Sequence, residues 1–203
     1  PRPAATRFSI PQPQGITMIR RNPRGDLPVV HETAFVDPTA ILCGHIIIGE
    51  NVFIGPYAVI RADEVDDAGN MEPIVIGAHS NIQDGVVIHS KAGGRVEIGE
   101  YTSIAHRSIV HGPCKVGNRV FIGFNSVLFN CVVGEGSVVR HNSVVEGCSV
   151  PDGFYIPSTC NIHSDEELAR IERVTPDVTG FSESVAQANH ELVKGYKRIR
   201  NEF

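Results

Sequence analysis

No run of apolar residues in this 203-residue chain approaches the roughly 20 needed to cross a bilayer. The opening PRPAATRFSIPQPQG also lacks the apolar centre of an export signal. Both absences point to a cytoplasmic protein, although a chain that begins at Pro1 without methionine leaves room for a removed leader. Basic excess is missing too: 18 Lys and Arg stand against 23 Asp and Glu, a net charge of -5. That balance offers no cationic footprint for nucleic acid, and the one basic cluster, KGYKRIR near the end, reads as the solvated face of a helix. Cys43, Cys114, Cys131, Cys148 and Cys160 are odd in number and never spaced as CxxC. Neither a disulfide framework nor a cysteine zinc site is indicated, which leaves reduced, mostly buried thiols.

What the chain has is a period of six. Its 41% hydrophobic content suffices for one sizeable core and a single domain. Stepping by six from Val30 meets Val36, Leu42, Ile48, Ile54 and Ile60, and the frame resumes at Ile76, Ile82 and Ile88. It runs again through Ile98, Ile104, Val110, Val116, Ile122 and Leu128, and ends on Val133, Val139 and Val145. The two long breaks read as loop insertions centred on VDDAGNMEP and KAGGRVE. Units of this kind cannot bury an aliphatic singly, so stacked coils must share a core, which is the signature of a parallel β-helix. The pattern resembles the left-handed hexapeptide β-helix family, where about three units make one triangular coil. The expectation is therefore a mostly β fold of about six coils, with residues 1–29 as an N-terminal extended segment, 30–157 as the β-helix and 158–203 as a helical tail packed alongside.

Sorting the residue after each aliphatic by side of the triangle separates structure from chemistry. The first side reads His31, Gly49, Gly77, Gly99, Gly117, Gly134, and the second Asp37, Gly55, Gln83, Ala105, Gly123, Arg140. The third reads Cys43, Arg61, His89, His111, Phe129, Glu146, with no glycine. Glycine suits a corner where a side chain would crowd the backbone, so a column that retains side chains keeps them against a cost. His89 and His111 fall one coil apart with Arg61 below them, and adjacent strands lie about 4.8 Å apart, close enough for two imidazoles to share one metal ion. His106 belongs to the second side. It lies five residues before His111, about 16 Å at roughly 3.3 Å per extended residue, so a site using all three histidines requires a neighbouring subunit. His31, His45, His79, His141, His163 and His190 read as surface or hydrogen-bonded residues.

In the tail, SDEELARIERV is expected to be helical, with Ser164 as N-cap and Glu167 completing a capping box. Thr175 and Pro176 end that helix, and a second begins near Ser182 with an apolar seam of Val185, Leu192, Tyr196 and Ile199. Asn189 lies on the seam, either as a satisfied hydrogen bonder or pointing into a site.

At IRADE, NIQDGVVIH, AHRSIVHGP and VPDGFYIP, together with the closing helix, the chain resembles the γ-class carbonic anhydrases, from about Val30 to the end. The resemblance implies metal-dependent reversible hydration of CO2 to bicarbonate by a metal-bound hydroxide at the interfaces of a homotrimer. It implies ligation by His89 and His111 of one subunit and His106 of the next, one divalent ion per site, with Zn2+ the leading expectation and Fe2+ or Co2+ also suited to three imidazoles. Arg61 and Asp84 match the family's ion pair across the interface. Asn81 and Gln83 match polar residues that organise the metal's water, Glu64 the carboxylate beside it, and Asn189 a tail-helix residue near the site. One feature departs from the pattern: the family's archetype carries an extended acidic loop after the first histidine ligand, whereas here SKAGGRVE is short and Ala92 stands near the place of the proton-shuttling carboxylate. Two alternatives therefore stay open, a weakly active or inactive scaffold or assembly trimer of the same family, and a coenzyme-A-dependent hexapeptide acyltransferase with a histidine base.

Overall fold

The structure, a computed structural model, describes residues 18–200. Residues 1–17 of the expected N-terminal segment and the last three residues of the tail lie outside the described residues.

The aliphatic frame sets the architecture. Each of its members sits directly over the next in a parallel ladder, as in Ile54↔Ile82, Ile82↔Ile104 and Ile104↔Ile122 on the second face. The third face stacks Leu42, Ile60, Ile88, Val110, Leu128 and Val145 in the same way, and the first face runs from Val30 through Ile48 to Val133. The three faces form sheets of seven, eight and eight strands. Their inward side chains make one continuous core in which Ile54, Ile60, Ile82, Ile88, Ile104, Ile122 and Leu128 have no exposed surface. The stack runs beyond the eighteen-unit frame: Val150, Ile156 and Ile162 add a further coil above Val133, Val139 and Val145, for about seven turns. Met18–Arg20 extends the third face at the other end.

Glycines on the first face mark where coils touch at the corner. A Cβ on Gly99 would lie 2.5 Å from the carbonyl carbon of Gly117 one coil on, closer than any side chain tolerates. The two insertions leave the stack undisturbed. The first is pinned by Asp66, whose Oδ1 accepts from the backbone N–H groups of Ala68 at 2.9 Å and Asn70 at 2.7 Å. The second is confined to residues 91–95, because Val96 and Glu97 already belong to the strand Val96–Ile98.

The tail departs from expectation in its boundaries and its phase. Helix α1 spans only Asp165–Leu168, with the capping box formed between Ser164 and Glu167. The chain then turns extended at Glu172–Arg173, which caps the second face as an antiparallel strand on Phe154–Ile156. Helix α2 covers Pro176–Arg200, starting at the proline that was expected to mark a stop, since proline fits the first turn of a helix. It lies along the second face against Phe35–Val36, Phe53–Ile54, Asn81–Ile82 and Ser103–Ile104. Val193 is its most deeply buried apolar side chain, packed with Phe35 and Phe53, and Tyr196 stacks on Phe35 with centroids 4.7 Å apart. Leu192 and Ile199, expected on the seam, are exposed, because the solenoid selects the stripe through Val185, Asn189 and Val193 instead.

Because each rung contributes one aliphatic per face, truncating a central one leaves a cavity that its neighbours cannot close. Ile104→Ala should cost about 2–5 kcal/mol of stability in denaturant unfolding, whereas Val65→Ala, in an exposed loop, should stay within about 0.5 kcal/mol.

Candidate functional site

The outward side of the third face holds the imidazole pair. His89 and His111 are register partners in the strands Val87–Ser90 and Ile109–Gly112, and Arg61 partners His89 one coil below. Side chains on adjacent parallel rungs point the same way, so the two rings meet edge to face with centroids 5.2 Å apart. His111 Nδ1 lies 3.1 Å from the Gly112 carbonyl. A proton on Nδ1 makes that contact a hydrogen bond and leaves the lone pair on Nε2. His89 Nε2 sits among charges, 3.2 Å from the Arg61 guanidinium, 3.2 Å from Asp63 Oδ1 and 3.5 Å from Glu64 Oε1. Asp63 also faces Arg61 Nε at 3.7 Å. It is the residue that sequence reasoning passed over, and its signal was its place inside IRADE, two residues after Arg61 and next to Glu64.

A second group gathers on the second face and the corner that follows it. Asn81 and Gln83 flank Ile82 and are buried beneath α2. Gln83 Nε2 donates to Asn81 Oδ1 at 2.9 Å, and Asn81 Nδ2 donates to Ser103 Oγ at 2.7 Å. Asn189, buried on the helix, donates through Nδ2 to the Val185 carbonyl at 3.0 Å. At the corner, His106 Nδ1 lies 3.6 Å from Asp84 Oδ2, and its ring leans on Phe124 with centroids 5.3 Å apart.

Of the nine expected site residues, His111, Arg61 and Glu64 gather around His89 on the third face. Asn81 pairs with Gln83 on the second face, His106 faces Asp84 at the corner after it, and Asn189 lies on α2. Within the chain Arg61 contacts Asp63 and His89, while Asp84 contacts His106, so no Arg61–Asp84 pair forms among the described residues. Nor does any group of three or more His, Cys, Asp or Glu side chains there have metal-holding geometry. The five cysteines are free, and no described helix is long and apolar enough to cross a membrane. Of the other histidines, His31 contacts Thr33, His79 faces Glu50 and His163 faces Glu146. His45 and His190 differ from expectation, each shielding an Nδ1 with no hydrogen-bond partner among the described residues.

A fold of stacked hexapeptide coils carrying outward histidine, carboxylate and amide columns defines a hexapeptide-repeat β-helix protein. The family described as "Bacterial transferase hexapeptide (six repeats)" matches residues 28–62 and 95–130. The chain is 36% identical to a carbonic anhydrase of Methanosarcina thermophila over 87% of its own length and 77% of that protein's. It therefore belongs to the γ-carbonic-anhydrase-like family of left-handed hexapeptide β-helix proteins. It is also 38% identical to the carboxysome assembly protein CcmM of a Nostoc species, across 82% of this chain but only 31% of that longer protein. Among solved structures, a hexapeptide transferase family protein from Anaplasma phagocytophilum superposes with a TM-score of 0.72 at 26% identity, covering 89% of this chain and 98% of that one.

The column that carries His106 continues through Phe124 to His141. His141 Nδ1 accepts from the Phe124 backbone N–H at 3.0 Å, and its ring stacks on Phe124 at 4.5 Å. Burial, aided by the charge of Arg140, lowers its pKa below the ordinary histidine value of 6.5. The folded state thus binds fewer protons than the unfolded one, and the stabilisation is present above pH 6.5 and lost as pH falls toward the lowered folded value. The melting temperature should drop between about pH 7 and about pH 5, and less so in His141→Asn, whose amide oxygen accepts the same bond without titrating.

Proposed function

We propose that the protein hydrates CO2 reversibly to bicarbonate at metal sites completed between the chains of a homotrimer. The observation that carries this reading is the His89–His111 pair, two imidazoles on adjacent rungs with centroids 5.2 Å apart and His111 Nδ1 facing the Gly112 carbonyl. The donor chemistry fits a divalent ion, Zn2+ first and Fe2+ or Co2+ next, held by His89 and His111 of one chain and His106 of its neighbour. Bound there, such an ion supplies the Lewis acidity that makes water nucleophilic near neutral pH.

The chain's own residues do the rest. Glu64, half-exposed beside His89, receives the released proton on Oε1 and passes it to solvent. Gln83 and Asn81, locked by their mutual hydrogen bond, present fixed amides to CO2 and bicarbonate, with Asn189 contributing from α2. Arg61 and Asp84, which lack each other within one chain, pair across the interface and bring the two sets of residues into register. An interface built from two different patches must close on itself, which a cyclic trimer achieves. Free thiols suit a reducing, cytoplasmic setting.

A second reading, a weakly active or inactive assembly protein, is favoured by two observations. The loop at residues 91–95 offers Ala92 and no carboxylate to carry protons away, and His89 Nε2 is already engaged by Arg61 and Asp63. Likeness to a hexapeptide transferase supports the acyl-CoA-dependent alternative, which requires no metal.

Anaerobic purification with metal analysis, then CO2 hydration assays before and after chelation, separates the three. Hydration that chelation abolishes and metal restores supports the proposal, a metal-loaded but inactive trimer supports assembly, and metal-independent turnover of acyl-CoA supports acyl transfer. Given the short loop, raising an imidazole-type buffer at fixed pH should raise the hydration rate, and a flat response would show that Glu64 alone exports the proton. His89→Ala and His106→Ala should each be inactive alone yet regain activity when co-refolded. His89→Ala with His111→Ala should regain none, because both ligands come from the same chain of every interface. Equal recovery in the two mixtures would overturn the shared site.

A further inference from the structure

Helix α2 leaves a cavity of about 480 Å3 between itself and the corner that joins the first and second faces, within the range of small-molecule sites. None of the residues proposed above for the CO2 site lines it, and the inference below is independent of that reading. Its solenoid wall is a ladder of His79, Tyr101 and Arg119, one per coil at the same left-handed turn position, with φ of 60°, 54° and 53°. Glycine fills that position in the next two coils, at Gly136 and Gly153. Bulky side chains are therefore kept where backbone conformation disfavours them.

Together they build one wall of the cavity. The His79 and Tyr101 rings stack at 4.7 Å and 13°, forming a flat aromatic wall. The Arg119 guanidinium lies 5.8 Å from the Tyr101 ring centre, and its contact with Glu135 is exposed and long at 3.4 Å, which leaves its charge available. Opposite, on α2, His190 tilts across His79 at 5.7 Å with its Nδ1 shielded and without a hydrogen-bond partner among the described residues. Val120, Val138 and Ala186 supply an apolar floor, and Glu183 on the helix side disfavours a second negative charge.

We infer that this cavity binds a planar aromatic monocarboxylate. The ring stacks on Tyr101 and His79, and the carboxylate pairs with Arg119.

The test is calorimetric titration of the full chain with 2-naphthoate, using 2-naphthamide as its uncharged counterpart. Naphthoate should bind, and naphthamide should bind about tenfold or more weakly, equivalent to about 1.4 kcal/mol. Arg119→Gln should bring naphthoate down to the naphthamide level. Ala186→Trp, which fills the cavity, should abolish both. Absence of naphthoate binding at millimolar concentration would overturn the inference, as would binding that survives Ala186→Trp or is indifferent to Arg119→Gln. Should Ala186→Trp fail to fold, intermolecular NMR contacts between naphthoate and the Val120 and Val138 methyl groups in the unaltered protein decide instead; their presence supports the site and their absence overturns it.

Discussion

Everything in this molecule depends on one aliphatic side chain per face per coil being buried directly over its counterpart in the next coil. A single coil encloses only three such side chains and cannot exclude water from them. Stacked, they form a core from Leu42 to Ile162 with almost no exposed surface. The same register that buries Ile88 on Val110 holds His89 over His111. Chemistry on the outside of the coil is thus positioned by packing on the inside, and a rigid ladder is what a site of fixed donors needs.

The register also divides the site residues. Side chains on one face stay in line up the solenoid, and those on another face point elsewhere. Histidines five residues apart in sequence therefore occupy different columns: His111 lies with Arg61 and the carboxylates of Asp63 and Glu64 nearby, His106 with Asp84 and the buried amides. Hydrogen bonds order His89 with Arg61 and Asp63 in one and Asn81 with Gln83 in the other, and each holds a charge that complements the other, Arg61 in one and Asp84 in the other. Two sets on one chain, each lacking what the other holds, are the physical basis for placing the proposed chemistry between subunits.

Helix α2 adds a third layer of organisation. On one edge it covers Asn81 and Gln83 and carries Asn189; on another it roofs the cavity lined by Tyr101, His79 and Arg119. Asn189 and His190 are consecutive, and His190 lines the cavity, so a ligand packed against it would steady the turn that also carries Asn189. The helix joins two regions that the solenoid alone keeps apart.

The sequence by itself determined the coil register, the glycine corners, the columns and the Ser164–Glu167 capping box. Each follows from a fixed period or from hydrogen bonds between near neighbours in the chain. It also placed His89 beside His111 and His106 elsewhere, because counting along the frame is equivalent to counting rungs. It did not reveal that α2 begins at Pro176, that Val193 rather than Leu192 is buried, or that Asp63 joins His89. Nor did it reveal that His190 closes over the Tyr101 ladder. Those are contacts between elements of different period, a helix of 3.6 residues per turn on a ladder of rungs, or a loop residue folded back on a strand. Only the tertiary structure decides them, because the helix face that packs is chosen by the shape of the surface receiving it, here the groove beside Phe35 and Phe53.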